Sequence, residues 1–451
     1  MITSLSIENF KCWRSIPKMR LAPITALFGT NSSGKTSLLQ WLLMMKQTVQ
    51  SADRLQVLNF GDERDPVQLG GFGDVVYRHE LSSSLTCCMH WQLPEPLKID
   101  NPDTYQALLF QGNSASFSCA VRGPSGEPEV SLMRYGFDGH EFSYQPQKSG
   151  FELAVTGPSG FAFRRMVGRP WGLPRPVKCY GFPDQVSSYY QNAGFLTDLQ
   201  LAFEKLFHGL YYLGPLREYP RRQYRWSGHQ PSDVGQRGEK VVDALLASRT
   251  RLKPISRGKG DLGLSLEEFT ALWLQRLGLI SQFSVDEVAK GSSIHQVWMR
   301  QSADSARVLI TDVGFGISQI LPVIVLCYYV PQGSVVVLEQ PEIHLHPAVQ
   351  SGLADIFIDA MRNRGIQLII ESHSEHLLRR LQRRIAEGNL QQEECALYFC
   401  DVQDSESCLL PLQLDAFGNI GNWPKDFFGD EFGEMAAMTM ARLQRTTGAA
   451  R

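Results

Sequence analysis

Disulfide chemistry is missing from this chain. Its nine cysteines in 451 residues are too few and too irregular for a stapled scaffold. Cys87 and Cys88 are neighbours, and Cys395, Cys400 and Cys408 have no zinc spacing. A reducing compartment is the expectation. Long apolar runs are missing too. The longest, Ile317 to Val330, is interrupted by Ser318, Gln319 and Pro322 and falls short of the ~20 residues that span a bilayer. The first ten residues, Met-Ile-Thr-Ser-Leu-Ser-Ile-Glu-Asn-Phe, lack the basic stretch and apolar core of a secretory signal. The chain therefore reads as soluble and cytoplasmic, with no membrane partner. An excess of one charge is also absent. Lys plus Arg number 44 and Asp plus Glu 46, a net charge of −2, which excludes non-specific coating of nucleic acid. DNA stays open as a partner only through a local patch or through a basic partner chain. Glycine (39) and proline (24) are at ordinary levels, so collagenous and low-complexity classes fall away. No apolar heptad pattern lasts three repeats, which excludes a long coiled coil, and no internal repeat is present. At roughly 150 residues per domain, two to three domains are expected.

What the chain does have is a phosphate-binding loop in context. Residues 2–7 alternate like a strand, and Ile24 to Phe28 is a second apolar run. That run feeds directly into Gly29-Thr30-Asn31-Ser32-Ser33-Gly34-Lys35-Thr36, which fits G-x-x-x-x-G-K-[ST] at every fixed position. Ser37 to Met45 follows without Gly or Pro, as a helix requires. Gly29 and Gly34 allow the backbone to curl, so that N–H groups of Asn31, Ser32, Ser33, Gly34 and the helix start at Ser37 face phosphate oxygens. Lys35 then reaches the β- and γ-phosphates, and Thr36 ligates Mg²⁺. ATP and Mg²⁺ are the expected ligands.

Such a loop needs an acid at the end of a neighbouring strand. Val335 to Leu338 is a β-branched run typical of a buried parallel strand, and it ends in Glu339-Gln340-Pro341-Glu342. Glu339 is expected to complete the Mg²⁺ site with Thr36. Ile366 to Ile370 is a second such strand, ending in Glu371-Ser372-His373-Ser374. Before both, the glycine-rich turn Asp312 to Gln319 opens an apolar helix, Ile320 to Tyr329.

This order of motifs resembles the ATP-binding-cassette ATPases of the chromosome-maintenance and recombination-repair type. Ile7-Glu8-Asn9-Phe10-Lys11-Cys12-Trp13 is similar to their N-terminal strand signature. In that family a Gly/Ser turn of one protomer contacts the γ-phosphate held by the other. Gly314, Gly316, Ser318 and Gln319 occupy that place here, and His373 resembles the histidine that senses the γ-phosphate. A narrower resemblance rests on Tyr212 to Pro220, Glu339 to Pro347, Glu371 to Leu378 and Gly418 to Phe428. These segments look like a bacterial group of AAA/ABC-type ATPases with a short C-terminal domain of unknown function. Relatives occur in phage-defence and overcoming-lysogenization-type systems. The resemblance implies an α/β, ABC-type P-loop NTPase fold with an antiparallel β-lobe and an inserted compact helical lobe. It implies an ATPase that closes as a homodimer or higher homo-oligomer around ATP and controls a separate effector, a nuclease or toxin.

One departure bears on catalysis. The family usually places a second acid directly after the Mg²⁺-site acid, as general base; here that residue is Gln340. An amide orients water but does not take up its proton at neutral pH, and a general base contributes about 10²–10⁴-fold. If Gln340 acts alone, turnover is slow; Glu342, two residues on, is the alternative base. Glu339, Gln340, Glu342 and His373 are thus the candidate catalytic residues. Two other readings compete: a nucleotide-gated binding module with negligible hydrolysis, and a DNA-repair ATPase acting directly on DNA. A metallohydrolase built from His344, His346, His373 and His376 is set aside, since none falls in H-E-x-x-H spacing.

About 300 residues separate Lys35 from Glu339, far more than a nucleotide domain needs. The expected organisation is a discontinuous core of 1–60 and 300–400, a β-lobe over 61–190, a helical lobe over 191–299 and a short C-terminal domain over 401–451. Leu85–Trp91, Ala115–Val121, Val130–Phe137 and Phe151–Val155 read as strands. Leu199–Phe207, Glu239–Ala247 and Leu266–Leu277 read as helices. Gln68 is weighed as a Mg²⁺ contact of the β-lobe, with an ordinary loop residue preferred. The arginines 217, 221, 222, 225 and 237 are read as a loop packing on the nucleotide domain rather than a nucleic-acid site. Those at 379, 380, 383 and 384 are read as a solvated helix face. The tail, with a hairpin, the Trp423/Phe427/Phe428 segment and a helix from Asp430 to Arg445, is expected to pack against the core.

Overall fold

The computed structural model describes residues 1–101, 108–158, 160–168, 171–256, 263–424, 427 and 437–440. Phe428 and most of the helix expected from Asp430 to Arg445 lie outside the described residues.

The β-branched runs form a parallel sheet because both of their faces find cover. Across this sheet the order is Glu406–Pro411, Cys395–Gln403, Ile24–Gly29, Gln367–Glu371, Val335–Glu339 and Leu210–Leu213. Every pairing is parallel except that of the edge strand Glu406–Pro411 with Cys395–Gln403. Successive residues face opposite sides. Leu27, Val335, Val337 and Ile369 join helices Lys35–Gln50 and Leu196–His208 in one core. Ala26, Phe28, Val336, Leu338 and Ile370 join Phe315–Tyr329, Pro347–Arg364 and Glu375–Ala386 in the other. The phosphate loop, Glu339 and Glu371 all emerge at the carboxyl ends of these strands, where open α/β sheets bind ligands.

The second sheet is antiparallel, in the order Trp13–Arg20, Ile2–Phe10, Leu85–Asp100, Leu108–Arg122, Glu129–Phe137, His140–Gln147 and Gly150–Thr156. All four expected strands lie within it. His140–Gln147 was not expected, although its buried Phe142 and Tyr144 alternate with polar residues. The sheet begins with the chain's own first hairpin, so the antiparallel layer and the phosphate loop are joined from the start. Trp13 Nε1 donates to the Gly34 carbonyl at 3.0 Å, and Phe10 meets Trp41 edge-on at 5.3 Å.

The segment expected as a helical lobe has its expected helices, Leu196–His208, Val241–Arg251 and Leu266–Arg276, but the first of them packs on the parallel sheet, whose edge strand Leu210–Leu213 follows it. It also has strands that were not expected. Ile294–Arg300 pairs antiparallel with Gln282–Glu287, Tyr224–Arg225 and Val308–Leu309. In the tail, Phe427 lies 4.6 Å from Phe399 and 6.0 Å from Phe28, the residue before the loop's first glycine. Trp423 meets Phe427 at 5.1 Å, and the Arg379 guanidinium sits 4.9 Å over Trp423. The described tail aromatics therefore pack on the core, as expected. Among the described residues no helix is long and apolar enough to cross a membrane.

Candidate nucleotide site

The loop's geometry demands its glycines. Gly29 has φ 137°, and a Cβ there would lie 2.0 Å from the Cys400 carbonyl oxygen. Gly34 has φ 98° and opens helix Lys35–Gln50 in close contact with Cys12 and Trp13. The Lys35 ammonium donates to the Gly29 carbonyl at 3.0 Å and the Thr30 carbonyl at 2.6 Å. Burial holds its pKa down, and Glu371 works against that. A cavity of about 360 Å³ opens over the loop, lined by Lys11, Cys12, residues 31–37, Gln340, Glu371 and His373. That is the size range of small-ligand sites. A larger cavity, about 750 Å³, lies by His229, Lys240, Arg251 and Arg364. None of the candidate site residues lines it.

Acids converge behind the loop. Glu339 and Glu371 are register partners at adjacent strand ends. Thr36 Oγ1 donates to Glu371 Oε1 at 3.0 Å, while Glu371 Oε2 is buried and has no hydrogen-bond partner among the described residues. The Tyr212 hydroxyl, on the next strand out, and Arg217 both favour the charged form of Glu339. Glu342 Oε1 accepts the His373 N–H at 2.6 Å and thereby fixes the turn carrying that histidine. Glu342 is 7% exposed and does not line the cavity. Arg217, 5% exposed, faces Tyr212, Glu339 and Glu342 electrostatically. Among the described residues its guanidinium nitrogens have no hydrogen-bond partner.

Burial and the neighbouring Glu371 push Glu339 up to about 7, against the pull of Tyr212 and Arg217. Burial also raises Glu342 and Glu371. It lowers Arg217 to about 10, and with Lys35 nearby it lowers His373, favouring the neutral imidazole. The folded protein thus keeps a proton on Glu339 up to about pH 7, whereas a free carboxyl loses it near 4.5. Folding stability from this group is fully present below about 4.5 and lost as pH rises toward 7. Glu339→Gln should flatten that slope and stabilise the nucleotide-free protein at pH 8 by about 1–3 kcal/mol, read from melting curves across pH. An unchanged slope would remove the buried-acid account.

Hard oxygen donors suit Mg²⁺, and the Thr36 hydroxyl beside a carboxylate with an orphaned oxygen fits that ion. Among the described residues no three His, Cys, Asp or Glu side chains form a metal cluster by themselves. Gln340 lines the cavity at φ 43°, and His344 has φ 60°. Such conformations cost about 1–3 kcal/mol each for non-glycine residues and cluster at functional sites. The Gln340 N–H is pinned to the Glu371 carbonyl at 2.8 Å.

The glycine-rich turn is elsewhere. Gly314 caps helix Phe315–Tyr329, and Gly316, Ser318 and Gln319 lie in its first turns. Ser318 Oγ donates to the Phe315 carbonyl at 2.7 Å, and Gln319 is buried. None of the four lines the cavity of its own chain. Phe315 packs against Tyr219 at 5.3 Å and His344 at 5.1 Å. Gln68 is exposed, donates to the Asp62 carbonyl at 3.0 Å and lies outside the cavity.

The arginine groups are largely paired. Arg221 bonds Glu218, and Arg222 reaches Asp312 at 2.7 Å. Arg380 and Arg384 share Asp355 at 2.6 Å each, while Arg379 and Arg383 pair with Glu375 and Glu387. These pairings favour a structural role over a free phosphate-binding patch. Two site residues escaped sequence reasoning. Glu371 carried the same strand-end signal as Glu339, and Arg217 follows the strand Leu210–Leu213 closely enough to reach the acids.

Three family models match. One described as "AAA domain, putative AbiEii toxin, Type IV TA system" covers residues 191–379. An "AAA ATPase domain" covers 1–81, and a "Protein of unknown function (DUF3696)" covers 390–438. No curated protein matches the chain. Among solved structures, the SMC head bound to the C-winged helix domain of ScpA superposes loosely, at TM-score 0.42 and 10% identity over 92% of this chain and 98% of that one. The SMC head domain from Thermotoga maritima gives 0.41 and 9% over 91% and 99%. The Smc head with an extended coiled coil bound to the C-terminal domain of ScpA, from Pyrococcus furiosus, gives 0.41 and 10% over 92% and 96%. The chain is accordingly similar to AAA-type ATPase domains over residues 1–81 and 191–379 and to a domain of unknown function (DUF3696) over 390–438.

Proposed function

We propose that this chain binds ATP with Mg²⁺ in the cavity over residues 29–37, hydrolyses it slowly and closes as a homodimer around it. The observation that carries the reading is Lys35, whose ammonium is held over the loop in a cavity shared with Thr36, Gln340, Glu371 and His373. Backbone N–H groups of Asn31 to Ser37 receive the phosphates, aided by the positive end of the helix. Gln340 orients the attacking water without taking its proton, and neutral His373 reads the γ-phosphate. Gly314, Gly316, Ser318 and Gln319 serve the nucleotide of the partner protomer. Their absence from the cavity of their own chain supports this.

The matched model named for a toxin system supports an effector-linked role. The ATP-driven dimer would then control a separate nuclease or toxin in anti-phage defence, in the cytoplasm. The paired arginines argue against direct action on DNA.

Gly314→Asp tests the dimer. A Cβ at Gly314 meets nothing within 4 Å, and Asp is a favourable residue at a helix N-cap. The fold should therefore hold, while a carboxylate would face the partner's γ-phosphate. We expect monomer affinity for ATP to stay within about twofold and ATP-driven dimerisation, measured by sedimentation, to weaken by tenfold or more, about 1.4 kcal/mol. Unimpaired dimerisation would sink the trans role of this turn.

A further inference from the structure

We infer that the cavity of about 750 Å³ beside Lys240, Arg251 and Arg364 is a second anion site, suited to a small ligand with two or more phosphate groups and separate from the nucleotide site. Position is the first ground. Tyr329 and Pro331 form part of its wall, and both precede the strand Val335–Glu339. The cavity therefore stands at the amino end of the parallel sheet, whereas the phosphate loop and Glu371 stand at the carboxyl end. That strand alone separates the two ends by roughly 13 Å, four steps at about 3.3 Å. The turn at Gly314 likewise lies at the opposite end of helix Phe315–Tyr329. The two cavities share no lining residue.

Charge is the second ground. Three cationic side chains line this cavity and no carboxylate does. Their hydrogen bonds go to neutral partners. Arg251 donates to the Gln230 amide oxygen at 3.4 Å and the Gly228 carbonyl at 3.2 Å, and Arg364 to the Val330 carbonyl at 2.7 Å. Arg364 Nε is buried and has no hydrogen-bond partner among the described residues. A buried donor in that condition is uncommon and marks a place for a ligand or a water. Two acids stand behind the wall: Asp243 feels the charges of His229 and Lys240, and Asp233 faces Lys46. Neither lines the cavity, and a positive surplus remains. A cavity of about 640 Å³ by Trp273 shows the contrast. It also holds arginines, but Asp355 and Asp359 line it, and Asp355 pairs with Arg380 and Arg384. Chemistry and shape set the ligand class. Guanidinium groups grip phosphate oxygens through forked hydrogen bonds, and an ammonium adds a mobile point charge. Leu252, Pro331 and Tyr329 leave an apolar stretch of wall for an organic body. The wall is braced by the Tyr329 hydroxyl on the Pro231 carbonyl at 2.6 Å and the Trp226 indole on the His229 carbonyl at 3.0 Å. A concave site of this size takes small molecules, whereas a nucleic-acid backbone is met by a basic stripe or face.

The test uses the full chain carrying Lys35→Ala, so that the phosphate loop does not compete, in EDTA. Pyrophosphate and ADP, which carry the same number of phosphates, are titrated separately by calorimetry. Saturable binding of one probe per chain is expected. Lys240 and Arg251 are exposed, so their replacement spares the core. Lys240→Ala and Arg251→Ala should each weaken binding by about fivefold or more, and together by about 25-fold if the two contacts add. With Lys35 intact, the double variant should keep its ATP affinity within about twofold, since it touches neither the loop nor the acids. Tighter binding of ADP assigns the apolar wall to an organic body, and tighter binding of pyrophosphate assigns the site to an inorganic chain; either supports phosphate recognition. No binding of either probe, or binding that the double variant leaves unchanged, overturns the site. Loss of ATP affinity in the double variant overturns its separateness. A short DNA duplex that binds through Lys240 and Arg251 while both probes fail overturns the small-ligand assignment. The inference is independent of the ATP reading, because the deciding loss is read at Lys240 and Arg251.

Discussion

Lys35→Ala loses ATP affinity by about 10²-fold or more in an equilibrium titration. Lys35 is 3% exposed, and its ammonium lies where the loop curls. Charge-assisted hydrogen bonds to phosphate are roughly twice as strong as neutral ones, and more so where water is scarce. Two of them lost account for the expected effect, since each 1.4 kcal/mol is tenfold. The fold should survive. Lys35 itself lines a cavity wide enough for water, which takes over the hydrogen bonds of the Gly29 and Thr30 carbonyls when the side chain is removed. Unchanged affinity, with an unchanged melting curve, would reject the site.

Gln340→Glu raises the rate of steady-state phosphate release on the order of 10²-fold, the lower bound of what a placed general base contributes. The substitution is nearly isosteric. Both residues tolerate φ 43° equally, and the backbone bond from residue 340 to the Glu371 carbonyl does not involve the side chain. The change is therefore confined to proton acceptance at a position that lines the cavity. A rate that does not rise would mean that residue 340 does not face the attacking water. A wild-type turnover near ordinary enzyme rates, about 1 s⁻¹ or above, would by itself remove the pure binding-module reading.

The parts of this architecture that were legible in the sequence are those decided locally. The loop is a contiguous motif, and Val335–Glu339 and Gln367–Glu371 are apolar throughout because both faces are covered. Pairing between distant segments was not legible. Nothing local says that Ile2–Phe10 pairs with Leu85–Asp100, or that Gln282–Glu287 and Ile294–Arg300 form a sheet in a lobe read as helical. Side-chain meetings within the site were not legible either: nothing local says that the Thr36 hydroxyl reaches Glu371. Arg217 sits in a segment rich in Pro, Gly and charge that reads as surface, and only tertiary packing buries it behind the acids.

Phe427 has a consequence for the meaning of the C-terminal segment. Its ring lies against Phe399 and Phe28, and Phe28 is followed directly by Gly29. Phe427, within the segment matched to the domain of unknown function, thus lies behind the start of the nucleotide loop and supplies part of the wall on which Phe28 rests. Replacing that ring is therefore expected to be felt at the start of the phosphate loop, from behind the sheet.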